Sequence, residues 1–396
     1  MRNLYFLRLA FAAVTSLYCV AGARATDGDS QGRLENVVGA AVRPLMKEHR
    51  IPGVAVAVTV EGKQYFFNYG VASKETGQKV TQETIFEIGS TSKAFTATLA
   101  SYAEALGKLS LSDKASKYLP ALSGTGFDTI SLLQLGTYTA GGLPLQFPDG
   151  VTDPQEMVDF YRGWRPAYAA GTYRLYSNPS IGLFGHLAAK SMGAPFDELM
   201  EKRLFPALGL RSTYLRVPHD RMSKYAYGYS KADKPVRVTP GMLDAEAYGV
   251  KTTSADLIRF VEANMRGEGI DATLKGAIAA THAGYFKVGE MTQALGWEKY
   301  PYPVALDRLL SGNSADTAFK PQAAETLDPS REEARPELIN KTGSTNGFGA
   351  YVAFVPTENI GIVLLANRNY PIPARIKAAH RILKALDEQA ATTGNP

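Results

Sequence analysis

Gly53-Val54-Ala55-Val56-Ala57-Val58-Thr59-Val60, then Glu61-Gly62, then Lys63 to Val71, reads as two strands joined by a two-residue turn. Phe348 to Val355, a turn at Pro356-Thr357-Glu358-Asn359, and Ile360 to Ala366 repeat that pattern near the other end of the 396-residue chain. Helical spacing lies outside each hairpin. Leu34, Val37, Val38, Ala41, Val42 and Leu45 share one face over about residues 33–49, where Pro44 is expected to kink the helix; Ile376, Ala379, Leu383 and Leu386 share one over about 374–386. Strands at both ends, each with a helix beyond it, predict an α/β (α+β) fold. Its antiparallel sheet is built from both termini and flanked by helices.

The middle of the chain has a different rhythm. Helical patterns at 94–106, 155–161, 180–192 and 196–204 alternate with Gly- and Pro-rich connections, so a mostly helical lobe is expected at about 91–205. A cleft between this lobe and the sheet is where a site belongs. From Pro301 to Pro336 the sequence is polar and irregular, which reads as long surface loops.

Composition is 45% hydrophobic and 20% charged, enough apolar residue for a large core. Residues 1–25 stand apart: Arg2 and Arg8 lead into an apolar run from Leu9 to Val14, and Ala23-Arg24-Ala25 offers a small-x-small cleavage pattern. This is the plan of a secretory signal peptide, so residues 26–396 are expected to form one exported domain in the periplasm, without a membrane anchor. Removing Arg2, Arg8 and Arg24 leaves 40 basic side chains against 38 acidic, a net of +2. No run of lysines and arginines suits nucleic acid. The single cysteine, Cys19, lies in the leader, so disulfides, thiol catalysis and cysteine zinc sites are not expected in the mature chain.

Three short motifs carry chemistry. Ser90-Thr91-Ser92-Lys93 is the only S-x-x-K and falls where the extended run Ile85 to Gly89 gives way to a helical pattern. Residues three apart share a helix face, so Lys93 can reach the Ser90 hydroxyl, which is a poor nucleophile until its proton is removed. Tyr176-Ser177-Asn178 follows a turn-like Ala170-Gly171-Thr172 and precedes Pro179 and a helix. Lys341-Thr342-Gly343 lies just before the strand near Phe348, bringing a positive charge, a hydroxyl and a glycine that lets a ligand approach the backbone. Singly each is weak: about one S-x-x-K arises by chance in a chain this long, and Y-x-N is commonly a turn tyrosine beside a capping asparagine.

Other candidates read as decoys. Gly28-Asp29-Ser30-Gln31-Gly32 matches a G-x-S-x-G elbow, which needs a strand before it and a helix after it; here it sits in a polar N-terminal tail. The five histidines, at 49, 186, 219, 282 and 380, lack metal-ligand spacing, so no metal or cofactor is expected.

The ordered set S-x-x-K, Y-x-N, K-T-G resembles the penicillin-recognising serine hydrolases, and tyrosine in the second motif points to the class C β-lactamases. Phe86 to Phe95, Thr137 to Pro144, Asp244 to Gly249, Lys341 to Pro356 and Ala366 to Tyr370 also look like that family. The resemblance implies the β-lactamase/transpeptidase-like fold and hydrolysis of cephalosporins and penicillins through a serine acyl-enzyme. Ser90 would be the nucleophile, with Lys93 and Tyr176 sharing base and acid work and Lys341 holding one of them in a usable protonation state. The amides of Ser90 and Ser344 would form the oxyanion hole. Gln146 and Asn178 would bind the substrate's side-chain amide, with Tyr248 beside them. Thr342, Gly343, Asn369 and Arg375 would complete substrate binding, Thr342 and Arg375 at the carboxylate. One position departs from the pattern: where the family has an asparagine for that carboxylate, this chain has Ile372. The partner implied is a small-molecule β-lactam bound by a monomer. The alternatives on the same residues are a D-alanyl-D-alanine peptidase or esterase, and, from another class, a silent ligand-binding protein.

Overall fold

The computed structural model describes residues 27–331 and 335–393. The leader expected at 1–25 lies outside them. The first helix, α1 (Asp27–His49), runs unbroken through Pro44 and starts earlier than its apolar spacing indicates. Gly28 to Gly32 therefore fall inside a helix, not at the strand-to-helix turn that an elbow serine needs. Strands β1 (Gly53–Val60) and β2 (Lys63–Gly70) follow, turning at Glu61 and Gly62 with φ of +49° and +82°. Two consecutive left-handed residues make the tight turn that matches strand twist.

The central region supplies α2 (Ser92–Ala105), α3 (Pro154–Gly163), α4 (Asn178–Met192), α5 (Ser254–Met265) and α6 (Ala272–Ala280). Then come β3 (Phe286–Val288), β4 (Met291–Gln293), β5 (Glu298–Pro301) and β6 (Glu325–Thr326). The chain closes with β7 (Glu337–Ser344), β8 (Gly349–Val355), β9 (Ile360–Ala366) and α7 (Ile372–Thr393).

These nine strands form one sheet in the order β6-β3-β4-β5-β7-β8-β9-β1-β2. The two ends meet where β1 pairs antiparallel with β9, Val54 opposite Ala366 and Val60 opposite Ile360. The sheet extends further than the two terminal hairpins indicate, because β3 to β6 from the middle of the chain prolong it beyond β7. The described residues between 301 and 336 likewise hold helices Leu306–Gly312 and Ala315–Phe319 where long loops are expected. Its buried Leu309 sits in an apolar cluster with Tyr300 and Val304, which gives so short a helix the packing that propensity alone could not.

Every residue of β1 is buried because both faces of the sheet are covered. Val54, Val56 and Val58 pack with Leu34, Val38 and Val42 of α1 and Ile376, Ala379 and Leu383 of α7. Ala55 and Ala57 face the other way, toward Phe95 and Leu99 of α2 and Leu257 and Phe260 of α5. A third cluster, from Ala97 to Ala188 with Leu295, fills the helical region beside α2. Helix α2 borders both of these last cores and carries Ser90 at its approach.

Candidate active site

Ser90 sits in the tight turn Gly89–Thr91 that leads into α2. Gly89 has φ +50°, and a β-carbon there would lie 2.5 Å from the backbone nitrogen and oxygen of Ser344. From the other side, a β-carbon on Gly343 would come within 1.9 Å of the Ile88 carbonyl oxygen. Two glycines thus let the serine turn and β7 touch backbone to backbone. Gly343, expected from sequence to clear space for a ligand, is constrained more tightly by this approach. It brings together the two chain segments whose amides, at Ser90 and Ser344, are the expected oxyanion donors.

One turn along α2, Lys93 is completely buried. Its ammonium donates to Ser90 Oγ at 3.0 Å, to Asn178 Oδ1 at 2.6 Å and to the Ala247 carbonyl at 2.7 Å. Ala247 is held in reach because Thr96 Oγ1 donates to the Glu246 carbonyl at 2.6 Å and the Val250 amide donates to Ser92 Oγ at 3.0 Å. Burial pulls the Lys93 pKa down to about 8, and Lys341 pushes the same way. An ordinary lysine near 10.4 holds almost no free amine at neutral pH, whereas at about 8 roughly a tenth is free.

Tyr176 is set by the start of α4. Ser177 caps that helix, its Oγ accepting from the Ser180 amide at 3.0 Å, and Pro179 occupies the first turn. Asn178 becomes the first helical residue and faces Lys93. Lys93 Nζ and Lys341 Nζ each lie 5.1 Å from the centroid of the Tyr176 ring, and the Arg174 guanidinium carbon lies 5.4 Å from it. The hydroxyl is buried close to Ser90 and Lys93, and among the described residues it makes no hydrogen bond of good geometry. Burial by itself raises the pKa of this phenol, but Lys341 and Lys93 outweigh it and hold it below its usual value.

Lys341 owes its own state to a residue that sequence reasoning missed. Glu298, buried on β5, places Oε1 3.2 Å from Lys341 Nζ and 3.6 Å from Arg174 Nη2. Burial works to deprotonate Lys341; Glu298 overcomes it and raises the pKa, so Lys341 stays a cation beside Tyr176. Arg174 is fixed in turn by donating to Gln293 Oε1 at 2.6 Å and to the Thr317 carbonyl at 2.9 Å. No motif marks Glu298, because it meets Lys341 only through the pairing of β5 with β7, where Glu298 stands opposite Asn340.

These groups face a cleft of about 460 Å³ lined by Ser90, Tyr176, Asn178 and Lys341. Gln146 and Tyr248 line it and also border a neighbouring cleft, which puts them at one end. Thr342, Gly343 and Ser344 supply an edge of β7, while Val238, Phe319 and Ile372 add apolar surface. None of the five histidines lines it, and among the described residues no group of three or more His, Cys, Asp or Glu is placed to hold a metal.

A family model described as Beta-lactamase matches residues 38–387. The chain belongs to the β-lactamase family. A β-lactamase of Pseudomonas fluorescens is 58% identical over 355 residues, covering 90% of this chain and 99% of that protein. A class C β-lactamase solved in complex with cefoxitin superposes with a TM-score of 0.87 at 48% identity, over 90% of this chain and 99% of that one. A β-lactamase/D-alanine carboxypeptidase from Pseudomonas syringae superposes at 0.86 with 52% identity, over 89% and 99% of the two chains. The fold is that of the class C β-lactamases, and the chain is a class C β-lactamase, a hydrolase.

Two residues expected to bind substrate do not line the cleft of this β-lactamase. Arg375 is completely buried, and its donors go to main-chain carbonyls: Nη1 to Gly343 at 2.5 Å and Ala350 at 3.3 Å, Nε and Nη2 to Tyr370 at 3.1 and 2.6 Å. Its remaining bond, from Nη2 at 2.7 Å, goes to Asn369 Oδ1. Burial lowers its pKa to about 10. The guanidinium therefore clamps β7 and β8 to the start of α7, and Asn369 steadies the clamp. Asn178 is in the cleft, but its carbonyl oxygen already serves Lys93. Only its amide nitrogen remains for a substrate.

Proposed function

We propose that this enzyme opens the ring of cephalosporins and penicillins by way of an ester on Ser90. The observation that carries the reading is the 3.0 Å contact between Lys93 Nζ and Ser90 Oγ, made by a lysine whose pKa is pulled to about 8. A serine with such a partner can act as a nucleophile near neutral pH.

In acylation, Ser90 passes its proton to the free amine of Lys93 as Oγ bonds to the lactam carbonyl carbon. The carbonyl oxygen takes up the negative charge between the amides of Ser90 and Ser344. The carbon–nitrogen bond then breaks, and the leaving nitrogen takes a proton from Tyr176. In deacylation the Tyr176 phenolate removes a proton from water as its oxygen attacks the ester, and Lys93 returns a proton to the departing Ser90 Oγ. Both groups end as they began. The cationic Lys341, sustained by Glu298, favours the phenolate form on which the second half depends. Gln146 and the Asn178 amide nitrogen suit the substrate's side-chain amide, and the Thr342 hydroxyl suits its carboxylate.

The second reading is D-alanine carboxypeptidase, which the double description of the Pseudomonas syringae neighbour favours. Both activities share the acyl-enzyme and differ in how fast water releases it. Purified protein is expected to turn over a chromogenic cephalosporin many times per molecule. A single stoichiometric burst favours the peptidase instead. The charge and apolar pattern of residues 1–25 supports export to the periplasm before any of this chemistry.

A further inference from the structure

Glu87 takes no part in the proton transfers above, yet it is only 2% exposed and bears a carboxylate. It lies on a two-residue strand, Phe86–Glu87, that pairs with Lys251–Thr252 and runs straight into Ile88, Gly89 and Ser90. Three donors converge on it. Tyr225 Oη and the Val238 amide donate to Oε1 at 2.6 and 2.7 Å, and Thr345 Oγ1 donates to Oε2 at 2.5 Å.

Two of these three donors belong to the cleft. Thr345 follows Ser344, whose amide is an expected oxyanion donor, and both Thr345 and Val238 line the cleft. Val238 is anchored a second way: the guanidinium of Arg237 lies between the rings of Tyr225 and Tyr227, 4.1 and 4.2 Å from their centroids. A carboxylate that only needed burial could be replaced by an apolar side chain at little cost. One that sits on the nucleophile's own approach and accepts from the residue at the end of β7 controls their separation, and misplacement by about 1 Å costs on the order of a hundredfold in rate.

We propose that Glu87 is a positioning residue for the oxyanion hole: by tying Thr345 to the segment that presents Ser90, it sets the spacing of the Ser90 and Ser344 amides, a role that rests on reading Ser90 as the nucleophile. Glu87 itself is out of reach of substrate. Its effect passes through the strand end.

The test compares wild type with Thr345→Val, Thr345→Ser, Glu87→Asp and the Thr345→Val/Glu87→Asp pair. Two readouts are taken on folded protein: the rate of Ser90 acylation by quenched intact-mass analysis, and the inhibition constant of phenylboronic acid, whose boron bonds to a serine oxygen and leaves an oxygen in the hole. Thr345→Val is expected to weaken both by about tenfold, and Thr345→Ser to recover most of the loss. Glu87→Asp, one methylene short of Thr345, is expected to match Thr345→Val, with the double variant no worse than the poorer single one. Wild-type acylation and boronate binding in Thr345→Val overturn the proposal, as do losses that multiply in the pair, which would mark Thr345 as an independent substrate contact. If Glu87→Asp does not fold, Thr345→Val and Thr345→Ser still decide. A wild type that acquires no adduct on Ser90 defeats the nucleophile reading first and this proposal with it.

Discussion

Lys341 and Glu298 meet 3.2 Å apart inside the molecule, each on one of two adjacent antiparallel strands. With Arg174 they put one buried anion between two buried cations, directly beside the ring of Tyr176. The pair sets charge at the site without touching the nucleophile.

Glu298→Gln removes the negative charge that raises the pKa of Tyr176, Lys341 and Lys93. All three values should fall. The acidic limb of kcat/KM, where a base is protonated, and the basic limb, where a required cation is lost, should therefore both move to lower pH, by roughly one unit. The variant also leaves two buried cations without a counter-charge, at a stability cost of about 3 kcal/mol. Limbs that stay in place would show that Glu298 does not set these protonation states.

Asn178→Asp should act in the opposite direction. Its side-chain oxygen sits 2.6 Å from Lys93 Nζ, so a carboxylate there stabilises the ammonium and raises the lysine from its value of about 8. Less free amine is then present at pH 7, and the acidic limb of kcat/KM should shift upward. A pH profile of acylation checks this; an unmoved or lowered limb argues against Lys93 as the base for Ser90.

Ile372→Asn is expected to improve binding rather than chemistry. Ile372 lines the cleft as an apolar group that cannot hydrogen-bond a substrate carboxylate. A new hydrogen bond to a charged group is worth about 1.5 kcal/mol, roughly tenfold in KM for a substrate with a free carboxylate. The corresponding methyl ester should gain little. Equal gains for acid and ester would place the effect elsewhere.

Arg375→Met tests the correction at the other expected carboxylate ligand. With its donors on the carbonyls of Gly343, Ala350 and Tyr370, the arginine is part of the frame. Its loss removes the guanidinium donors from those carbonyls and should destabilise the protein by about 3 kcal/mol. The ratio of KM for acid and ester substrates should stay constant. A selective rise in KM for the acid at unchanged melting temperature would restore Arg375 as a substrate ligand.

What sequence can show here follows how local each cause is. The hairpins were legible because the apolar runs Gly53–Val60, Gly349–Val355 and Ile360–Ala366 and a Glu61-Gly62 turn carry their own instructions. Ser90 and Lys93 were legible as partners because one helical turn joins them. Glu298 was not: it meets Lys341 across 43 residues of chain, on a four-residue strand whose place depends on the whole sheet. Leu306 to Gly312 is helical because Leu309 finds a buried cluster, information held by Tyr300 and Val304 in three dimensions. Arg375 misled for a related reason. An arginine near a substrate motif looks like an anion ligand until its burial shows that main-chain carbonyls already surround it.

The most direct measurement is the intact mass of the enzyme quenched during turnover of a cephalosporin, followed by peptide mapping. The expected result is a transient adduct on the peptide that contains Ser90, disappearing as substrate is exhausted, and neither adduct nor turnover in Ser90→Ala. Wild type that turns over substrate with no adduct, or Ser90→Ala that hydrolyses at an undiminished rate, contradicts the serine mechanism.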